Sequence, residues 1–471
     1  MNLEIINKII KAYDIRGLVD DELSVDFAFA LGIVFAKFIE REREPATVVV
    51  GEDMRPSSPD LATAFSDGVT SQGLDVIRIG LSSTDQLYFS AGHLNLPGAM
   101  FTASHNPAAY NGVKLCKSGA KPIGQESGLL WIKNQIIGSL TEGFPIPNRP
   151  VGKETQLDLL PEYVSYLFSL FTKNTFDKTF QGRPLKIAID AGNGMGGHTA
   201  PAVMRQINAQ VDGIYFELDG TFPNHEANPI EAKNLVDLQK LVTEKSADIG
   251  LAFDGDADRC FLVDEKGNLV SPSALTALIA ERELKKYPGA SVIYNLICSR
   301  AVPEVVLENG GVPLKSRVGH SYIKKMMADH DAVFGGEHSG HFYFKDFWCA
   351  DSGMLAALHA IAALLDTQTT LSELMSKYNT YFLSGEINTQ VADPQNTIAK
   401  IREHFSDSNL IGSNEPLLFD DLDGLTVSAA NWSFNVRPSN TEPLLRLNVE
   451  ARFEAEMMRL QDLVLRLMAN R

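Results

Sequence analysis

Six short apolar runs, each ending in a glycine-rich or polar loop, constrain this chain more than any other feature. They are Thr47–Val50 before GEDMR, Gly98–Phe101 before TASHNP and Leu185–Ile189 before DAGNGMGG. Ile249–Phe253 before DGDADR, Val292–Leu296 before ICSR and Ala332–Phe334 before GGEHSGH complete the set. Runs this short and this apolar, alternating with helical stretches such as Pro59–Gln72 and Ala274–Lys286, predict buried strands of βαβ units. Open parallel sheets take their ligands beyond the carboxyl ends of the strands. Most of the chain's unusual residues fall there.

The last ninety or so residues read differently. Strand-like LSGEINTQV, helical NTIAKIREHF, strands near Leu425–Val427 and Leu444–Val449, and a terminal helix Glu454–Met468 predict an α+β unit. With 471 residues the chain exceeds one ordinary domain. Its composition shifts divide it into 1–150, 151–268, 269–380 and 381–471. The fold class expected is α/β: three similar α/β domains with mixed sheets, plus a C-terminal α+β domain.

A formal charge of −17 argues against nucleic acid and anionic membranes as partners, because both demand a basic face. A small anionic substrate needs only a local cluster of Arg and Lys. The four cysteines, Cys116, Cys260, Cys298 and Cys349, form no CxxC pair, which predicts a reducing, cytoplasmic setting. The opening MNLEIINKIIKAYDIRG lacks the pattern of a secretory signal. The most apolar window, Met354–Leu365, contains His359 and reads as a buried helix.

Asp254-Gly-Asp256-Ala-Asp258-Arg259 is the sharpest chemical signal. Three carboxylates in alternation repel one another unless a cation lies between them, and oxygen-only ligands suit magnesium. An EF-hand is the competing reading, since Glu265 falls at loop position twelve. It fails on Arg259, which stands where that loop requires glycine, and on the strand-like flanks. A solvated acidic loop is the bland alternative.

Thr102-Ala-Ser104-His105-Asn106-Pro107 presents either a nucleophilic serine at a strand end or a simple turn. No GxSxG elbow supports a serine hydrolase. Arg437-Pro-Ser439-Asn440-Thr441 gathers a guanidinium, two hydroxyls and an amide, suited to phosphate oxygens or to a capped polar turn. Gly336-Glu337-His338-Ser339-Gly340-His341 sets a carboxylate and a hydroxyl where sugar hydroxyls could be read, with His341 near an anion. Zinc is the alternative there, but HExxH is absent. His320, in Gly319-His320-Ser321, is a further imidazole, either structural or functional. Gly192-Asn-Gly194-Met-Gly-Gly197 matches a dinucleotide fingerprint, with Glu217 and Asp219 farther on. A dehydrogenase would leave the aspartate triplet and RPSNTEP without roles, and the glycines are equally explained by close strand–helix packing.

Together KAYDIRG (11–17), TASHNP, NGVK (111–114), DGDADR, GEHSGH and RPSNTEP, in this order, resemble the α-D-phosphohexomutase family, specifically its phosphomannomutase/phosphoglucomutase branch. The resemblance covers the whole chain. It implies four domains around a central cleft and a reaction interconverting hexose 1-phosphate and hexose 6-phosphate, of mannose and/or glucose. By the same resemblance Ser104 carries the phosphoryl group, and Asp254, Asp256, Asp258 and a phosphoserine oxygen hold Mg2+. Arg259 and His105 flank the reacting phosphate. Lys114 is the implied proton donor or acceptor, with His320 also in reach. Tyr13 and Arg16 border the site, Glu337 and Ser339 contact sugar hydroxyls, and Arg437, Ser439, Asn440 and Thr441 grip the distal phosphate. A hexose 1,6-bisphosphate serves as activator, and the chain is expected as a monomer or homodimer. Ile297, in NLICS, stands where many relatives are expected to carry lysine. A phosphoglucosamine mutase and a non-catalytic sugar-phosphate binder are the alternatives.

Overall fold

The computed structural model describes residues 2–11, 13–144, 148–406, 416–438 and 444–469, with the side chains at 141, 142, 320 and 321 outside that description. The chain divides into two units, one of Met1–Val270 with Ser339–Leu374, the other of Ser271–His338 with Met375–Arg471.

The first unit carries two mixed sheets. In the first sheet Thr47–Glu52 lies between Asp75–Leu81 and Gly98–Phe101, parallel to both. Tyr110–Lys117 runs antiparallel to Gly98–Phe101 and, on its other side, to Ile15–Leu18. Helices Val25–Glu42 and Ser58–Ser71 cover this sheet. The first repeats Phe27, Leu31, Phe35 and Phe38 on one buried face, the spacing of an amphipathic helix. Ser24 caps it by accepting the Phe27 N–H at 3.2 Å. The two helices touch at Gly32 and Gly68. A Cβ at Gly32 would stand 2.1 Å from the Phe65 carbonyl oxygen, so only glycine permits this crossing.

In the second sheet Leu185–Asp190 lies between Ala209–Ile214 and Ile249–Phe253, parallel to both, and Cys260–Asp264 returns antiparallel. Thus Asp254–Arg259 is the connection of a hairpin whose strands are wholly buried. The hairpin Phe342–Phe344 and Ala350–Asp351 and the buried helix Gly353–Thr367 complete the unit. Among the described residues no helix is long and apolar enough to cross a membrane.

The second unit carries parallel strands in the order Val312–Ser316, Ser291–Asn295, Phe334–Gly336. The last begins two residues later than its apolar run predicts, because the Ala332 N–H closes the preceding helix on the Met327 carbonyl at 3.0 Å. The C-terminal part is an antiparallel sheet of Phe382–Gln390, Leu444–Ala451, Trp432–Pro438, Leu425–Ser428 and Leu418–Asp420. Helices Pro394–Ser406 and Glu454–Met468 bury Ile401, Phe405, Leu460 and Val464 in its core. Mixed sheets with parallel cores, preceding an antiparallel sheet covered by helices, give the α/β and α+β classes read from the sequence.

Candidate active site

Two strand ends of the first unit build the site. Beyond Phe101 the chain turns through Ser104, which is 5% exposed and adopts φ +49°, a left-handed conformation that costs a non-glycine residue strain. The Ser104 hydroxyl donates to Asp254 Oδ2 at 2.9 Å. It lies 3.2 Å from His105 Nδ1 and accepts from Arg259 Nη2 at 3.4 Å. The two loops meet at backbone level: a Cβ at Gly255 would stand 2.3 Å from the Ser104 carbonyl oxygen. Glycine in DGDADR is thus the condition for serine and aspartates to share one site.

Oxygens of Asp254, Asp256 and Asp258 lie within 4.8 Å of one another, and all three residues are buried. Lys114 Nζ donates to Asp256 Oδ2 at 2.7 Å and to Asp258 Oδ2 at 2.6 Å. Arg259 Nε donates to Asp254 Oδ2 at 2.8 Å. The Oδ1 atoms of Asp256 and Asp258 are buried and accept no hydrogen bond among the described residues. Clustered buried carboxylates, two of whose oxygens have no partner among the described residues, fit a hard divalent cation. Electrostatics agree: burial, with Asp258 and Asp256 beside it and despite Arg259, pushes Asp254 up to about 7. Burial opposes the Lys114 ammonium, but Asp256 and Asp258 outweigh it and hold its pKa well above the ordinary lysine value. Arg259, together with burial, holds the His105 imidazole well below the usual histidine range. Since Arg259 can only donate to His105 Nδ1, that nitrogen carries no proton.

Other sequence-predicted residues of this unit gather nearby. Arg16 donates to Asn106 Oδ1 at 2.6 Å and to Asp14 Oδ2 at 2.6 Å, tying the KAYDIRG segment to the serine loop. Tyr13 lies half-buried just before that strand. His341 Nε2 stands 3.7 Å from Asp258 Oδ1, and its Nδ1 lies 2.9 Å from Ser339 Oγ. The EF-hand reading fails a second time here, because Glu265 is engaged by the Ser372 hydroxyl and N–H. The glycine fingerprint is taken up by packing, with the Met195 N–H donating to the Gly255 carbonyl at 2.9 Å.

In the second unit Glu337 is 2% exposed and accepts from Asn295 Nδ2 and from the Gly319 N–H, each at 3.2 Å. His338 Nδ1 lies 3.1 Å from Ser273 Oγ. Ile297 lines a hollow with Cys298, His338, Asn435 and Asn448. Arg437 pairs with Glu386, and its Nη1 is buried with no hydrogen-bond partner among the described residues. Ser439, Asn440 and Thr441 lie outside the described residues, as does the side chain of His320, whose backbone opens the helix His320–His330.

Sequence reasoning missed Arg55. Its buried guanidinium donates to the carbonyls of Ser104 (2.9 Å), Asn106 (2.7 Å), Pro107 (3.0 Å) and Tyr110 (2.9 Å). Its N–H and Nε face Asp53. The available signal was position: GEDMR follows a buried strand, as the recognised site loops do.

Four family models match the chain. They describe phosphoglucomutase/phosphomannomutase α/β/α domain I over residues 7–138, domain II over 161–267, domain III over 271–381, and the C-terminal domain over 386–467. A phosphomannomutase of Salmonella typhimurium is 38% identical, covering 95% of this chain and 96% of its own length. The phosphohexose mutases of Xanthomonas campestris pv. campestris are 36% identical over 95% of this chain and 96% of theirs. A crystal structure of a Burkholderia thailandensis phosphoglucomutase/phosphomannomutase family protein superposes with a TM-score of 0.85 at 30% identity, covering 98% of this chain and 97% of that one. With all four models matched in order, the chain belongs to the phosphoglucomutase/phosphomannomutase family of phosphohexomutase enzymes.

Proposed function

We propose that this enzyme interconverts the 1- and 6-phosphates of a hexose, mannose and/or glucose, through a phosphoserine at Ser104 and a hexose 1,6-bisphosphate. The observation that carries the reading is the Ser104 hydroxyl, held on a strained turn at 2.9 Å from one of three clustered aspartates. In this reading Asp254, Asp256, Asp258 and a phosphoserine oxygen hold Mg2+, which when bound supplies charge neutralisation for the phosphoryl group. Arg259 flanks the same group. The Ser–O–P bond breaks as a sugar hydroxyl oxygen takes the phosphoryl group. That hydroxyl passes its proton to a basic group of the site, and the freed Ser104 oxygen takes one up to become the hydroxyl. The bisphosphate then turns and returns its other phosphoryl group to Ser104.

Lys114, kept as an ammonium by two aspartates, suits the step in which an oxygen must gain a proton. Neutral His105 suits the serine side of the transfer. Tyr13, Arg16 and His341 belong to the reacting end, while Glu337 and Ser339 read sugar hydroxyls and His320 remains a second proton carrier. Arg437, one of whose buried nitrogens has no partner among the described residues, grips the distal phosphate together with Ser439, Asn440 and Thr441. The four domains expected from the sequence divide these tasks.

Phosphorus NMR of the purified chain with Mg2+, a trace of glucose 1,6-bisphosphate and either mannose 1-phosphate or glucose 1-phosphate tests this. Growth of a 6-phosphate signal is expected, and the two rates rank the sugars. Conversion of glucosamine 1-phosphate alone would reassign the sugar, and no conversion of any would leave a sugar-phosphate binder.

A further inference from the structure

The segment Ser82-Ser83-Thr84-Asp85 carries no motif, yet every residue in it is buried to within 1% of full burial. It caps the helix Thr84–His93, whose N-cap Ser83 accepts the Gln86 N–H at 3.3 Å. From that position Thr84 grips one member of the aspartate triplet twice. Its N–H donates to the Asp256 carbonyl at 3.0 Å, and its hydroxyl donates to Asp256 Oδ2 at 2.6 Å. Asp85, the next residue, accepts from Tyr163 at 2.7 Å, from Ser352 at 2.6 Å and from Ser83. Ser352 itself caps the helix Gly353–Thr367, accepting the Leu355 N–H at 3.0 Å. Thr84 is thus anchored through its neighbour to two other helices.

The consequence lies in the carboxylate. Asp256 Oδ2 is occupied by Thr84 and Lys114, whereas Oδ1 is buried and without a hydrogen-bond partner among the described residues. A carboxylate with two donors on one oxygen cannot rotate without breaking both, so its other oxygen keeps one direction. We propose that Thr84 is a positioning residue for the metal site, fixing Asp256 so that Oδ1 faces the volume shared with Asp254 and Asp258. This rests on reading the three aspartates as a cation site. Partners that orient a ligating carboxylate are typically worth about 10–100-fold in metal affinity.

The test is titration of the full-length chain, stripped of divalent ions, with Mn2+ followed by electron paramagnetic resonance. Thr84→Val keeps the shape and the N–H but removes the hydroxyl; Thr84→Ser restores it. We expect the Val variant to bind Mn2+ about 10–100-fold more weakly and the Ser variant within a few-fold of the parent. Melting curves of the ion-free proteins accompany this. A Val variant that melts lower yet binds Mn2+ like the parent overturns the proposal, leaving Thr84 a packing residue. If Val folds poorly, Ser and Ala are compared at low temperature, and equal affinity between those two overturns it as well. A parent chain that binds Mn2+ with all variants alike removes only the Thr84 role. A parent that binds none, or binds equally after Asp256→Asn, removes the cation site and this proposal together.

Discussion

Arg55 donates a hydrogen bond to the carbonyl oxygen of Ser104 at 2.9 Å, from a guanidinium that is itself fully buried. Three more carbonyls of the same loop are held by the same group, so one side chain over-determines a turn whose central residue is strained. Arg55→Lys keeps a charge beside Asp53 but cannot present a fork to four acceptors. Turnover is expected to fall on the order of 100-fold, as for a small misplacement of a reacting group, with KM changed much less. Steady-state kinetics decide it. A parallel rise in KM would instead place Arg55 in substrate binding.

The strain at Ser104 predicts an unusual ranking. A left-handed non-glycine residue costs about 1–2 kcal/mol, and glycine's extra freedom in the unfolded chain offsets about 0.4–1 kcal/mol of any relief. Ser104→Gly should therefore be as stable as Ser104→Ala or up to about 1.6 kcal/mol more stable. Both should lose essentially all mutase activity and accept no phosphoryl group. Urea unfolding and intact-mass spectrometry after incubation with bisphosphate read the two outcomes.

Asp85 predicts a pH dependence. Burial pushes its carboxyl up to about 6, against the pull of Ser352, Ser83 and Tyr163 hydroxyls. A folded pKa above the unfolded value means the folded state binds the proton more tightly. The stabilisation is then present in full below about pH 4 and is lost as pH rises through about 6, amounting to roughly 3 kcal/mol. Asp85→Asn cannot ionise, so its stability relative to the parent should rise between pH 4 and 7. Denaturation at several pH values checks this, and a constant difference would show that Asp85 titrates normally.

Arg437 keeps Nη1 buried and without a partner among the described residues while Nη2 pairs with Glu386. A hydrogen bond to a charged group is worth about 1.5–3 kcal/mol, so Arg437→Lys should raise KM for the hexose phosphate about tenfold or more. Turnover at saturation should change little, because the proposed grip is on the phosphate that does not react. A loss confined to kcat would contradict a binding role.

Asp256→Asn should weaken divalent-metal activation more than it weakens sugar-phosphate binding, since one acceptor oxygen of the triplet becomes a donor amide. Activity against Mg2+ concentration, beside calorimetry with hexose phosphate, separates the two. The reverse pattern would move Asp256 out of the metal site.

Local chemistry was legible in the sequence wherever a site residue sits in a compact motif at a strand end. Asp254, Asp256 and Asp258 alternate along one hairpin turn, and the apolar runs Gly98–Phe101 and Ile249–Phe253 mark the strands that deliver Ser104 and the aspartates to their place. The class of the first sheets was legible too, because buried parallel strands read as unbroken apolar runs. Arg55 and Thr84 were not. Arg55 reaches a partner 49 residues away and Thr84 one 172 residues away, and neither distance leaves a periodic or compositional trace.

Residue chemistry and strand periodicity are local properties, so the sequence alone determined the kinds of elements, the serine and aspartate motifs and the family. Tertiary structure alone decided which oxygen of Asp256 is tied and which has no partner among the described residues, and that the Gly255 backbone touches the Ser104 carbonyl. It also decided that a single buried arginine holds the serine turn. Those relations join chain segments that meet only when separate sheets and helices pack, and packing geometry is not written in any one segment.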